Sequence, residues 1–169
     1  MVSATSLLLS FGLAATTLST AIPKRDGSER VFLANCAYTG DFSDGTEITP
    51  FSEMIYYSTD AASWSGNPDA VVALTTSLYI TWEGATVSGT FQDGDTFVSN
   101  INAGANTLAN FEFAGTGYNN YRVFNYKDDG RVLTEVESPN GLFTRTCNRI
   151  YYCEDISLIL ALPPVGHSD

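Results

Sequence analysis

Histidine is almost absent from this chain of 169 residues, in which His167, the third residue from the end, is the only one. A Ser-His-Asp or Cys-His catalytic site needs a histidine held firmly in place, and so do the common zinc and copper centres. Residues so near a chain end are usually loosely held. The sequence therefore argues against histidine-dependent catalysis and predicts no metal site. It also lacks a P-loop and a Rossmann glycine fingerprint, so we expect no cofactor.

Positive charge is also scarce, because eight Lys and Arg stand against 19 Asp and Glu and give a formal net charge of −11. A surface of this sign repels nucleic-acid phosphates and anionic lipids. We therefore expect no nucleic-acid partner and no membrane partner. Solubility is the simplest role for the excess of acids.

The N-terminus carries an apolar run that predicts export. Leu7 to Ala15 is followed by Ser19-Thr20-Ala21, which places small residues where signal peptidase cuts. The basic pair Lys24-Arg25 then resembles the processing site at the end of a short propeptide. We expect a signal peptide over 1–21, a propeptide over 22–25 and one secreted, extracellular domain over 26–169, with a loosely held C-terminal tail. The alternatives are a buried N-terminal helix and a chance basic pair.

Only three cysteines are present, Cys36, Cys147 and Cys153. An exported protein with three cysteines is expected to form at least one disulfide and to leave one thiol over or paired between chains. Cys147 and Cys153 lie in a segment that reads as extended, which would separate them by roughly 20 Å, too far for a bond. Cys36 is therefore expected to pair with one of them. We favour Cys153, which would tie the first mature strand to the last, and keep Cys147 as the alternative.

The stretch from Leu78 to Ile101 organises the expected fold. Its apolar residues recur at every second position, the period of half-buried strands. A turn at Gly94 with a loop of three or five residues would put Val87 and Phe91 on the same face as Phe97. We therefore expect a one-sided hairpin whose inner face is core.

The remaining pattern indicates short strands at spacings of about ten residues. We expect a single-domain, all-β antiparallel sandwich or barrel of about seven to nine strands. The other expected elements are a strand over Val31 to Tyr38, a loop over Thr39 to Thr49, a strand over Glu53 to Ser58, a strand or short helix over Ala70 to Ser77, a strand over Thr107 to Tyr118, a hairpin around Asp129-Gly130, and a final strand from Leu142 through Tyr152.

The candidate binding residues are aromatic side chains. Trp64 lies in a loop of small and polar residues, and Trp82 lies in the central stretch, so both are candidate binding residues. A row of tyrosines on a sheet face would also stack on sugar rings or anchor a protein partner. The alternative is that these rings line the edge of the core. Catalysis would have to use a carboxylate pair such as Glu83 and Glu112, as in glycosidases.

Together, the export signal, the dibasic site, the small mature domain and the few cysteines resemble the small secreted proteins of filamentous fungi. The resemblance covers the organisation of the whole chain and includes no diagnostic motif, so no functional residue is carried over. It implies an effector-like extracellular protein that acts in virulence or in competition, by binding a host protein or a wall polysaccharide. The sequence thus favours a secreted non-enzymatic binding protein, with a carbohydrate-binding or cell-wall protein as the alternative and a carboxylate-dependent glycosidase third.

Overall fold

The computed structural model describes residues 29–42, 45–59, 67–119, 122–136 and 143–155. These residues form one antiparallel sheet that curls into a nearly closed barrel, as the sequence predicts. The expected signal peptide, the basic pair Lys24-Arg25 and the C-terminal tail lie outside the described residues. The strands are β1 (Arg30–Phe42), β2 (Gly45–Tyr57), β3 (Ala70–Ala73), β4 (Thr86–Thr90), β5 (Thr96–Ile101), β6 (Phe113–Tyr118), β7 (Arg122–Lys127), β8 (Val132–Val136) and β9 (Phe143–Asp155), with a 3-10 turn at Ala105–Thr107.

The strand order around the barrel is β3-β2-β1-β9-β7-β6-β5-β4, and β8 pairs with β9 beside β7. β3 and β4 therefore face each other across a seam without ladder hydrogen bonds. Gly89 of β4 allows this approach, because a Cβ atom there would lie 2.7 Å from the Val72 side chain and 3.1 Å from the Met54 sulfur. The seam is closed by side-chain packing.

The central hairpin is confirmed. β4 and β5 pair with Gly89 opposite Phe97 and Val87 opposite Ser99, and five residues, 91–95, connect them. Phe91 and Phe97 are buried on the inner face. The strand expected over Leu78 to Trp82 is wrong, however. This segment is irregular, and its Ile80 amide is bound by the Ser52 hydroxyl of β2 instead of by a strand partner.

The first hairpin is longer than expected. The segment from Thr39 to Thr49 is mostly strand, with Gly40 paired to Glu47, so the predicted loop there is wrong. Threonine and isoleucine in this segment suit a pleated strand, and only residues 43–44 separate β1 from β2. β1 and β2 consequently form a long ribbon.

The second predicted hairpin, around Asp129-Gly130, does not form. β7 and β8 lie end to end along β9, which pairs with both of them. The intervening residues 128–131 form a bulge, in which the Asp128 amide donates to the Ile150 carbonyl and Gly130 takes a positive φ of 76°. The Asp-Gly pair therefore marks a bulge, because the backbone groups on either side of it, the Asp128 amide and the Arg131 carbonyl, bind β9.

The strand expected over Thr107 to Tyr118 begins only at Phe113. The residues before it include the 3-10 turn and then Phe111 in the left-handed region, with φ 69°. The Phe111 amide donates to the Lys127 carbonyl at 2.7 Å, so β7 holds this irregular segment at the end of the barrel.

The disulfide joins Cys36 to Cys147, so the favoured pairing with Cys153 is wrong and the alternative holds. β1 and β9 place Cys36 directly opposite Cys147, whereas Cys153 lies opposite Val31. Cys153 is a buried thiol on the inner face. The first and last described strands are tied together as expected, six residues earlier on β9.

Two apolar clusters pack on opposite faces of the sheet. The main core fills the barrel with Leu33, Trp82 and Phe97. The second cluster lies on the outer face of β1, β2 and β9 and includes Phe32, Ile55 and the disulfide. β1 is therefore buried on both faces, unlike a strand of a one-sided sheet.

A cysteine series tests the disulfide. In urea unfolding, we expect a reducing agent to lower the free energy of unfolding of the wild-type protein by about 4 to 5 kcal/mol, because the bond closes a loop of 111 residues. A Cys36→Ala/Cys147→Ala variant should be as unstable as the reduced protein and insensitive to the reducing agent. The matched control, Cys153→Ala, should keep the full sensitivity. Loss of sensitivity in Cys153→Ala would contradict the pairing.

A pair of glycine variants tests the close approach of β5 and β6. A Cβ atom on Gly115 would lie 2.0 Å from the Asn100 carbonyl oxygen, so Gly115→Ala forces the two strands apart. We expect this variant to have a free energy of unfolding that is lower by about 1 to 3 kcal/mol, measured by thermal or urea unfolding. Gly104→Ala is the control, since nothing lies within 4 Å of its Cβ position. Equal stabilities of the two variants would show that the strands are not so close.

Candidate binding surface

The strand registers place one apolar row across six strands of the outer face. Each member is the direct cross-strand partner of the next, and the row lies opposite the barrel core. Its two central members are buried in the second cluster, the two tyrosines beside them are partly buried, and its two end members are exposed. From β6 to β3 the row consists of Phe113, Tyr126, Tyr152, Phe32, Ile55 and Val71.

At the β6 end this row widens into an aromatic face. We use that name for five rings on β6, β7, β9 and the segment before β6, namely Phe111, Phe113, Phe124, Tyr126 and Tyr152. Tyr126 and Tyr152 stack with centroids 5.4 Å apart, and Phe113 meets Tyr126 and Phe124 edge to face at 6.3 and 5.5 Å. Such pairs hold one another in fixed positions.

Two rings of the aromatic face protrude into solvent. Phe111 is 59% exposed and Phe113 47% exposed, which are high values for side chains of this size. Phe111 is also strained, because bulky residues rarely adopt a positive φ, and its ring lies 6.4 Å from that of Tyr152. Strained residues concentrate at functional sites, where the surrounding structure maintains them.

Arginines accompany these rings in a chain that has few basic residues. Arg122 lies over the Phe124 ring at 5.7 Å, and Arg30 lies over the Tyr152 ring at 5.5 Å while pairing with Glu154. Burial and the nearby Glu154 carboxylate raise the pKa of Tyr152 to about 12, so its hydroxyl stays protonated at physiological pH. The face thus combines aromatic rings, hydroxyl groups and guanidinium groups.

The two tryptophans proposed from the sequence are not part of this face. Trp82 is 1% exposed in the barrel core, and its indole N–H donates to the Asn35 side-chain oxygen at 3.0 Å. The prediction that Trp82 is a binding residue is therefore wrong, because its ring is buried in the core and its indole N–H has a hydrogen-bond partner there. Trp64 lies outside the described residues.

The tyrosines divide between several environments. Tyr126 and Tyr152 join the aromatic face and Tyr118 is exposed beside Arg122, as a binding row would require. Tyr57 and Tyr151 are buried instead. Sequence reasoning missed Phe111 and Phe113 as surface residues, because two phenylalanines two positions apart normally indicate a buried face. No sequence signal distinguishes the two cases.

The two candidate carboxylates for glycoside hydrolysis each accept a hydrogen bond from within the protein. Glu83 accepts the hydroxyl of buried Tyr151 at 2.5 Å, and burial, then that bond, raises the pKa of Tyr151. Glu112 accepts the Ala109 amide at 3.0 Å within its own turn. Glu83 thus ties the segment before β4 to β9, whereas Glu112 stabilises its own turn.

Two acids and an arginine form a polar cluster at the β7–β8 bulge, in which Asp128 and Arg149 are buried and Asp129 is exposed. Arg149 reaches Asp128 at 3.2 Å and Asp129 at 3.4 Å. Burial first, then a hydrogen bond to Asp129, raises the pKa of Asp128 to about 6, although Arg149 opposes the shift. The same bond, supported by the Arg131 amide and guanidinium, lowers the pKa of Asp129. In mildly acidic solution Asp128 is therefore the acid that carries the proton of this hydrogen bond, and Asp129 accepts it.

One group of metal-ligating residue types comes together in the described part of the chain, formed by Cys36, Glu53 and Cys147. Its two sulfur atoms are joined in the disulfide, so neither is a thiolate ligand. The described residues contain no helix long and apolar enough to cross a membrane.

Comparisons with protein-family models, with curated proteins and with solved structures gave no significant match.

The acid pair predicts a pH effect on stability. The pKa of Asp128 is higher in the folded than in the unfolded protein. Its contribution to the free energy of unfolding is therefore complete below about pH 4 and is lost as the pH rises through 6. Asp128→Asn removes this loss. We expect its stability relative to wild type, from urea unfolding, to rise between pH 4 and 6 by up to about 1.4 kcal/mol per pH unit.

Asp93→Asn in the exposed β4–β5 loop removes the same charge and serves as the control. Its stability relative to wild type should change much less over this range. A difference for Asp128→Asn that is constant with pH would contradict the protonation of Asp128 in this range.

Proposed function

We propose that this protein is a secreted, non-enzymatic binding protein that engages a protein partner through the aromatic face. The single observation that supports this proposal most directly is the exposure of Phe111 and Phe113 in a packed cluster of five rings. Aromatic side chains and arginine are the residue types enriched at protein interface centres.

The ring geometry favours a protein partner over an extended polysaccharide. Flat stacking on successive sugar units needs rings that lie open in one plane, whereas Phe113 stands at 78° to both Phe124 and Tyr126. An uneven apolar surface of this kind suits insertion of side chains between the rings. Arg122 at its edge would pair with a carboxylate of the partner.

An effector-like role outside the cell agrees with this surface and with the export signal in the sequence. Disulfides such as Cys36–Cys147 form and persist mainly in oxidising compartments. We propose a host or competitor protein as the partner, with an apolar surface bordered by acidic groups. A wall polysaccharide remains the alternative partner for the same face.

A matched set of variants tests the proposal. Wild type, Phe111→Ala/Phe113→Ala and Tyr79→Ala are immobilised and exposed to extracellular protein fractions of host and competitor cells. Tyr79 is the control because it is 47% exposed, as Phe113 is, but lies away from the aromatic face. Retained proteins are identified, purified and titrated by calorimetry. We expect Tyr79→Ala to bind as wild type does and the double variant to bind at least about tenfold more weakly.

Equal binding by the double variant and wild type would refute the aromatic face as the binding site. Sedimentation with insoluble chitin, glucan and cellulose, using the same three proteins, tests the alternative partner. Co-sedimentation that the double variant alone loses would replace the protein partner with a polysaccharide.

A further inference from the structure

A pocket lies at the other end of the same outer face, over β2 and β3. Its volume is about 270 Å³, close to the lower limit of about 300 Å³ for small-molecule sites. We call it the Glu53 pocket. It is lined by residues of β1, β2, β3 and β9 and by the segment that follows β3.

The floor of the pocket is an ion pair between Glu53 of β2 and Arg145 of β9. Their side chains are only 3% and 5% exposed. A buried ion pair is seldom more stabilising than apolar residues of the same size, because both charges lose their hydration. Beneath an open cavity, the pair places a hydrogen-bond acceptor and hydrogen-bond donors at the base of the pocket, where a polar ligand would meet them.

The walls of the pocket are apolar. Tyr38 and Phe51 stack at 4.7 Å with their planes 21° apart, and Val71 and Ala73 of β3 line the pocket as well. Exposed Thr76 adds a hydroxyl group at the rim. The pocket thus offers hydrogen-bonding groups at its base and apolar contact at its sides.

We propose that the Glu53 pocket binds one neutral, polyhydroxylated ring, such as a single hexose unit. The opposite charges of the floor cancel, so a ligand with a net charge gains little there. A carboxylate accepts from one hydroxyl while a guanidinium donates to its neighbour, which matches adjacent hydroxyl groups of a sugar. The C–H face of the sugar ring suits the apolar walls.

The volume limits the ligand to one ring with its substituents, and a longer glycan would extend over the rim at Thr76. This site is separate from the aromatic face, and the proposal does not depend on the partner proposed there.

Two valine variants test the pocket without disturbing its ion pair. Val71 lines the pocket and is 37% exposed, so Val71→Trp fills the cavity from its solvent side. Val132→Trp is the matched control, since Val132 is 51% exposed on β8 and does not line the pocket. Both substitutions place a residue with good strand propensity on a strand. Thermal unfolding of both variants is the check that each of them is folded.

The wild-type protein and the variants are titrated with D-glucose, D-mannose, D-galactose and N-acetyl-D-glucosamine, with NMR chemical shifts as the readout. We expect saturable shifts for at least one sugar, with a Kd on the order of 1 mM, as suits a ligand of about a dozen heavy atoms. Val71→Trp should weaken this binding at least tenfold. Val132→Trp and Phe111→Ala/Phe113→Ala should bind as wild type does.

A conservative variant tests the floor. Arg145→Lys keeps the charge but loses the planar fork, and we expect at least fivefold weaker binding. No saturable response to any of the four sugars up to about 100 mM, or binding that Val71→Trp leaves unchanged, would overturn the proposal. Neither result would alter the test of the aromatic face.

Discussion

The pairing of β1 with β9 is the constraint on which the other features depend. β1 is buried on both faces, so it contributes Leu33 to the barrel core and Phe32 to the outer cluster. The register with β9 also brings Cys36 opposite Cys147. Because a shift of one residue would exchange the two faces, both apolar clusters and the disulfide require this one register.

The charged residues of β9 reinforce that register. Arg145, Cys147 and Arg149 alternate along the strand and all face outward, where Glu53 and Asp128 meet the two guanidinium groups. A slip by one position would direct both arginines into the barrel core, where two unpaired charges are very costly. We infer that these ion pairs specify one strand alignment more than they add to stability.

The sequence predicts local structure well where one face of a strand is buried. The alternation from Val87 to Phe97 was sufficient to give the central hairpin and its core face, and it limited the loop to three or five residues, of which the structure has five. It was insufficient for Asp129-Gly130, because the choice between a turn and a bulge depends on β9, which follows later in the chain. The choice of disulfide partner also depends on nonlocal contacts. A bulge near Ala34 helps to set the register between β1 and β9, and that register decides which cysteine lies opposite Cys36.

The candidate sites were less predictable than the fold, and the reason is physical. Trp82 was the natural candidate for a binding residue, yet its indole N–H has a buried partner in Asn35. Phe113 was not a candidate in the sequence, yet it protrudes. Apolar side chains look alike in sequence whether they fill a core or form a surface, so only the registers of several strands separate the two cases.

One apolar row connects the two surfaces and explains why they lie where they do. Its buried members, Phe32 and Ile55, anchor the middle of the outer face, and exposure increases towards Phe113 at one end and Val71 at the other. Both surfaces are therefore edges of a single packed layer, not isolated patches on a polar sheet. A packed layer holds its edge side chains in place before a ligand arrives, which lowers the entropy lost on binding. The outer cluster thereby holds in place the side chains of the aromatic face and of the Glu53 pocket, as the binding that we propose for each of them would require.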